Sequence, residues 1–118
     1  MKRLQKLTNL GHQYGLLLIA DVPVAEKQQH AWYMVHTRTP WEDQVQQIHS
    51  RIDWLFQAGF DAMGTESGLS EFTHPDCGVM LDLLNEYATY TSSKYNREAA
   101  VKVHCSTGQV CDLSHHLI

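Results

Sequence analysis

The sequence feature that most constrains the fold is a helix signal over residues 39–60. Thr39 and Glu42 have the spacing of a capping box, and Pro40 between them suits the first turn of a helix. Apolar residues then recur at helical spacing and form one stripe: Trp41, Val45, Ile48, Ile52, Leu55 and Phe56. Because such a stripe has to be buried, the remaining chain is expected to supply a partner surface.

The end of this helix has two interpretations. Gly59 favours an end at Ala58, because glycine readily adopts the left-handed conformation that follows many helices. The alternative is a continuation to Met63, stopped by Gly64. Residues 64–70 contain two glycines among small polar residues and are predicted to form a loop.

Apolar segments on either side of the helical region predict strands. Residues 14–22 and 31–37 are separated by a short polar stretch, which predicts an antiparallel hairpin. Residues 99–105 and 109–113 flank Ser-Thr-Gly at 106–108, which predicts a second hairpin.

A second helix is predicted after Thr73, which can cap it. Its apolar face consists of Cys77, Met80, Leu81, Leu84, Tyr87 and Ala88, and helix propensity weakens through residues 89–93. The predicted order is therefore β-β-α-α-β-β. It corresponds to a single α+β domain over 1–118, with an antiparallel sheet built from two hairpins and two main helices on one face.

The first 13 residues are ambiguous. Leu4, Leu7 and Leu10 precede Gly11 at a spacing of three, which allows a short helix or an extended segment. The apolar run at 15–20 is too short to span a membrane, and interrupting polar residues argue against a signal peptide.

Composition limits the function classes. The net charge of −4 argues against a nucleic-acid partner, which usually requires a basic surface. Three cysteines in a chain of 118 residues favour reduced thiols and a cytoplasmic location. The chain has no phosphate-binding glycine loop, Gly-x-Ser-x-Gly or His-Glu-x-x-His motif.

Cysteines and histidines offer a zinc or thiol site as an alternative function. His74 and Cys77 are three residues apart at a predicted helix start, and His104, Cys105 and Cys111 lie on the second predicted hairpin. A two-residue turn at 107–108 would place Cys105 and Cys111 on opposite faces of the sheet, where they could not share a metal or form a disulfide. A three-residue loop at 106–108 would instead put both on one face, but offset along it. We therefore predict no metal, no cofactor and no assigned catalytic residue.

Trp54 is the main candidate for a binding residue. At 100° per residue it points away from the stripe of Val45, Ile48 and Ile52. Polar residues on its side of the helix and just beyond complete the predicted partner-binding set: Asp43, Gln47, Ser50, Gln57 and Asp61. Tryptophan is enriched among binding hot spots, so the surface predicts a protein partner with a basic or polar rim. Coverage of Trp54 by the protein itself, or by a second copy in a homodimer, is the competing interpretation.

These patterns predict a small cytoplasmic protein that binds another protein stoichiometrically. Its size, mild acidity and lack of catalytic motifs are typical of inhibitors, immunity proteins and anti-defence factors carried by phages and other mobile elements. An enzyme is the less favoured class, and no membrane partner is expected. The alternative is a small enzyme or zinc-binding regulator that depends on His74, Cys77 and His104.

Overall fold

A computed structural model describes residues 1–22, 24, 34–66 and 77–104. Three helices and three strands occur in this part of the chain. In chain order they are α1 (Lys2–Gln13), β1 (Ile19–Asp21), α2 (Trp41–Gln57), β2 (Ala62–Glu66), α3 (Cys77–Tyr95) and β3 (Val101–His104). None of the helices in these described ranges has the length and hydrophobicity to cross a lipid bilayer.

The three strands form a parallel sheet, so the predicted antiparallel sheet of two hairpins is wrong. The strand order is β1-β2-β3, with Ile19 opposite Ala62 and Met63 opposite Val101. Parallel neighbours need long crossover connections, and α2 and α3 lie within these connections. The overall architecture is mixed α and β, with βαβ units replacing the predicted hairpins.

The central strand β2 is the element that the sequence did not reveal. Its residues, Ala-Met-Gly-Thr-Glu, have one β-branched member, and part of them fell in the predicted loop. Close packing explains the glycine at position 64, because a Cβ atom there would lie 2.1 Å from Asp21 Oδ1. The Asp21 side chain crosses this position and lies 3.6 Å from Lys102 Nζ on the far strand.

The two predicted hairpins differ from the structure in other respects. The strand predicted at 14–22 is reduced to Ile19–Asp21, because Tyr14 and Gly15 form the C-terminal turn of α1 and only Ile19, Ala20 and Asp21 pair with β2. In the segment predicted as its partner, Val35 donates its amide hydrogen to the Val24 carbonyl over 2.8 Å. Residues 31–33 and 109–113 lie outside the described residues, whereas β3 falls within the strand predicted at 99–105.

The main helix, α2, agrees well with its predicted pattern. Ile48 and Ile52 are completely buried and Leu55 is nearly so, whereas Trp41 at the start is exposed. The helix begins at Trp41, and the Thr39 hydroxyl donates to the His36 carbonyl instead of capping the helix.

The predicted end of α2 is confirmed. The last helical residue is Gln57, followed by Ala58 as the C-cap and Gly59 at φ +96°. Gly59 donates to the Phe56 carbonyl, and Phe60 donates to the Leu55 carbonyl, which is the hydrogen-bond pattern of a Schellman motif.

The core lies between the sheet and the two long helices. Met80, Leu83 and Tyr87 of α3 are buried in it, whereas Ala88 is exposed. The helix also continues through the predicted weak region to Tyr95. The buried cluster consists of Val22, Val24, Met34, Val35, Ile48, Ile52, Leu55, Met63, Met80, Leu83 and Tyr87.

The N-terminal helix α1 packs on the end of α2. Thr8 is completely buried and donates its hydroxyl to the Ala58 carbonyl over 2.7 Å. Gly11 lies inside the helix and allows close approach of Leu18, whose Cδ2 would be 2.7 Å from a Cβ there. The helix ends in a second Schellman motif, with Gly15 at φ +73°.

Candidate functional site

The predicted anchor, Trp54, lies on the outer side of α2 with 37% of its surface exposed. Ser50 and Gln57 are also exposed and line the same shallow depression as Trp54. The rest of the lining consists of Gln46, His49, Arg51 and Asp53. The structure therefore brings together three members of the predicted set, along one helical face.

The other three predicted residues do not line this depression. Asp43 is exposed in the first turn of α2. Gln47 accepts a hydrogen bond from the His36 amide over 2.7 Å and donates to the Thr39 hydroxyl over 3.2 Å. Its amide group thus fixes the loop that leads into α2.

Asp61 joins α1, β1 and the start of β2. Its Oδ2 accepts from the Leu18 amide over 2.7 Å and from His12 Nε2 over 2.8 Å, while its own amide donates to the Leu18 carbonyl. Partial burial favours the neutral carboxyl, but the Leu18 and His12 hydrogen bonds outweigh this effect and lower the pKa of Asp61. Asp61 therefore has a structural role in this arrangement.

A second group of polar side chains lies between α2 and α3, around Asp53. Tyr90 and Tyr95 donate their phenol hydroxyls to Asp53, over 2.9 and 2.5 Å to Oδ1. Lys94 donates to the same oxygen over 2.9 Å and to the Tyr90 hydroxyl over 3.0 Å. We call these four residues the Asp53 cluster.

The Asp53 cluster is held by complementary charge and hydrogen bonding. Burial favours the neutral Asp53, but hydrogen bonds from Tyr95, Lys94 and Tyr90 outweigh it and lower the pKa of Asp53. Burial, together with the hydrogen bond to Asp53, raises the pKa of Tyr95 to about 12. The Tyr95 phenol is therefore a neutral donor near pH 7, and the Asp53 carboxylate is the shared acceptor. This arrangement cross-links α2 and α3.

His49 extends this polar region along the helix pair. Its ring stacks on Tyr90 with 3.7 Å between centroids and 6° between planes. Its Nε2 lies 2.6 Å from Glu86 Oε1. His49 and Asp53 also line the Trp54 depression, so the polar cross-link forms one wall of the predicted binding surface.

A third feature was not predicted as a site. Large apolar side chains of α1, the following turn and β1 are exposed, most of all Leu17 at 80% and Tyr14 at 77%. The complete set, which we call the N-terminal apolar surface, is Leu7, Leu10, Tyr14, Leu16, Leu17 and Ile19. Exposed apolar groups that are concentrated in one region are typical of interaction surfaces. The sequence alone predicts only a short helix or an extended segment for Leu7 and Leu10, and a strand for residues 14–22.

The alternative cysteine–histidine site falls mostly outside the described residues. His74, Cys105 and Cys111 are not described, and Cys77 and His104 are described only as the first residue of α3 and the last of β3. In the ranges that the structure describes, no group of three or more metal-ligating side chains is close enough to hold an ion. The zinc alternative therefore remains an untested prediction.

Comparison with known proteins identifies no relative of this chain. No protein-family model, curated protein or solved structure matches the chain.

Proposed function

We propose that this protein acts by stoichiometric binding of another protein, with the N-terminal apolar surface as the principal contact. The observation that carries the proposal is the exposure of six large apolar side chains within 13 consecutive positions, from Leu7 to Ile19. Full burial of one such side chain is worth about 1.5–3 kcal/mol. Several of them can therefore supply a specific contact in a complex.

The Trp54 depression is a second proposed contact. A half-exposed tryptophan between exposed Ser50 and Gln57 has the composition of a hot spot with a polar rim. Amide and hydroxyl groups at this surface suit a partner that presents polar groups there. The Asp53 carboxylate is already hydrogen-bonded within the Asp53 cluster, and Arg51 adds a positive charge to the same depression. In contrast to the prediction from sequence, Gln47 and Asp61 are left out of this surface because their side chains hold the fold together.

The class of function proposed is that of an inhibitor, immunity protein or anti-defence factor of a phage or other mobile element, acting in the cytoplasm. The odd number of cysteines supports a reducing compartment. The absence of enzyme motifs in the sequence supports binding over catalysis.

The decisive test compares binding by surface variants with an identified partner. Proteins captured from the native cytosol would be purified singly and titrated against the parent chain, with the mass of the complex measured in solution. Leu7→Gln with Leu10→Gln is expected to weaken a one-to-one complex by roughly a hundredfold or more. Trp41→Gln is the matched control, because this ring is also exposed but lies at the opposite end of α2 from the α1 contact.

Two results would contradict the proposal. One is a purified partner that binds the parent and the Leu7/Leu10 variant with equal affinity. The other is the absence of any partner that forms a one-to-one complex after purification. Circular dichroism melts of each variant would confirm that the fold is retained, so that a loss of binding is not a loss of structure.

A further inference from the structure

We infer that the partner contributes an acidic amphipathic helix that packs lengthwise on the exposed face of α1. This inference rests on the proposed function and specifies the chemistry of the partner at the N-terminal apolar surface. It follows from the spacing of the exposed residues on α1, from the fixed position of that helix, and from the local charge.

The exposed face of α1 has the spacing of a helix-pairing surface. Arg3, Leu7, Leu10 and Tyr14 follow each other at intervals of four, three and four residues, which is the heptad spacing of residues that contact a second helix. Leu7 is 58% exposed and Leu10 is 51% exposed. At 100° per residue these positions share one side of the helix.

A second face of α1, centred on Thr8, already packs on the rest of the protein. Thr8 is buried against Ala58, Gln5 donates from its side chain to the Gln57 carbonyl over 2.9 Å, and Gly11 contacts Leu18. The helix is thus fixed on α2, with Leu7 and Leu10 directed outward. A preformed helix of this kind binds without the entropy cost of ordering itself.

The charge around this face is positive, in contrast to the rest of the chain. Residues 1–20 contain three of the nine Lys and Arg side chains and none of the thirteen Asp and Glu side chains. That leaves six cationic against 13 acidic side chains in residues 21–118. Lys2, Arg3 and Lys6 are exposed, and none forms an ion pair with a carboxylate in the described part of the chain. Asp and Glu beside an apolar stripe on the partner would complement them.

Other occupants of this face fit less well. Parallel pairing of α1 with α1 of a second copy would bring the two sets of basic side chains together. Antiparallel pairing would leave them without complementary charge, because α1 contains no Asp or Glu. An anionic membrane would attract α1 but repel the acidic remainder of the molecule. An acidic helix satisfies both the apolar stripe and its basic flank.

The test uses the full-length protein and two synthetic peptides of about 21 residues, or three heptads. Both carry Leu at the a and d positions; one carries Glu at e and g, and the other Lys. The acidic peptide is expected to bind the parent at least about tenfold more tightly than the basic one, with a preference that decreases as salt increases.

Variants of the protein separate the apolar and charged contributions. Leu7→Gln with Leu10→Gln is expected to abolish binding of both peptides. Lys2→Glu, Arg3→Glu and Lys6→Glu together are expected to reverse the preference in favour of the basic peptide. Arg38→Glu, a charge reversal at an exposed position outside α1, and Trp41→Gln serve as controls that are expected to bind as the parent does.

Several outcomes would overturn the inference. Equal binding of the two peptides would contradict the proposed preference for an acidic helix. Failure of both peptides, with a protein partner still dependent on Leu7 and Leu10, would refute the acidic helix and leave the proposed function intact. Binding to vesicles containing about one-third phosphatidylserine, or dimerisation lost in the Leu7/Leu10 variant, would instead identify a membrane or a second copy as the occupant.

Discussion

The hydroxyl of Thr8 donates to the carbonyl of Ala58 across the junction of α1 and α2, with 2.7 Å between the two oxygens. This junction lies at the Schellman motif that ends α2, and its fit is close. A Cβ atom on Gly59 would lie 2.2 Å from Thr8 Oγ1. The end of one helix thus forms the attachment site of the other, and this contact fixes the orientation of the proposed binding face.

Thr8→Val is the substitution that tests this junction. It keeps the side-chain shape but leaves the Ala58 carbonyl without the hydroxyl donor, at an expected cost of about 1–3 kcal/mol in unfolding free energy. Chemical denaturation would measure the loss. Gly59→Ala is expected to lower the unfolding free energy by at least as much. Its methyl group would clash with Thr8, and alanine adopts the positive φ of this position less readily than glycine does. A Gly59→Ala variant as stable as the parent would contradict the described docking of α1.

Ile52 is predicted to be important for the stability of the hydrophobic core. Its side chain is completely buried on α2, within the cluster that also contains Met63 and Met80. Ile52→Ala should lower the unfolding free energy by about 2–5 kcal/mol through lost apolar contact and a residual cavity. Ser50→Ala, at an exposed position of the same helix, is the control and is expected to change stability by about 0.5 kcal/mol or less.

Acid stability is expected to depend on Asp61. Because its pKa is lowered in the folded state, the unfolded chain binds a proton more readily once the pH approaches the ordinary value of 3.8. The stabilisation from Asp61 is therefore present above that pH and is lost as the pH falls through the lower, folded-state value. Asp61→Asn should be less stable than the parent at pH 7, and the difference should narrow in acid. Asp43→Asn, at an exposed position, is the reference. A stability difference between Asp61→Asn and the parent that does not change with pH would show that ionisation of Asp61 is unimportant.

The Asp53 cluster should contribute to the packing of α2 against α3. Asp53→Ala removes the common acceptor of Tyr90, Lys94 and Tyr95. The carboxylate is 37% exposed, so solvent screening reduces the expected loss to about 1–2 kcal/mol. Thermal melts would measure it. Stability equal to that of the parent would mean that the cluster forms without holding the helices together.

Trp54→Ala separates the two roles considered for this residue. If the ring contacts a partner, the variant should fold with nearly the parent stability and bind the partner about thirtyfold or more weakly. If the ring mainly packs on the protein, the unfolding free energy should fall by about 3–5 kcal/mol, and the remaining folded protein should bind normally. Thermal melts and partner titrations on the same samples distinguish these results.

The parts of the fold that could be predicted are those encoded locally. The stripe of α2 and its end at Gly59 both depend on residues within a few positions of each other. The parallel sheet could not be read in the same way, because β2 has a weak strand composition and contains Gly64 for a contact with Asp21. Without β2, the remaining apolar segments appeared to pair with their nearest neighbours in the chain.

The geometry of the candidate site could be predicted to a similar extent. Trp54 was found from helical periodicity, since its position opposite Ile48 and Ile52 requires only local geometry. The Asp53 cluster joins residues 37 to 42 positions apart, a relationship that no local pattern contains. The leucines of α1 have ordinary core spacing, and only the tertiary arrangement places Leu7 and Leu10 at the surface.

The parallel pairing of β2 with both of its neighbours affects how the chain is made. Ile19 pairs with Ala62 and Met63 with Val101, so each strand pair joins positions about 40 residues apart. On the ribosome, β1 emerges long before β2 exists, and β2 emerges well before β3. Nascent chains that end before β2 would present β1 without its neighbour, beside the leucines of α1. We expect such arrested chains to aggregate or to recruit chaperones. We expect chaperone binding to decrease once β2 has left the exit tunnel.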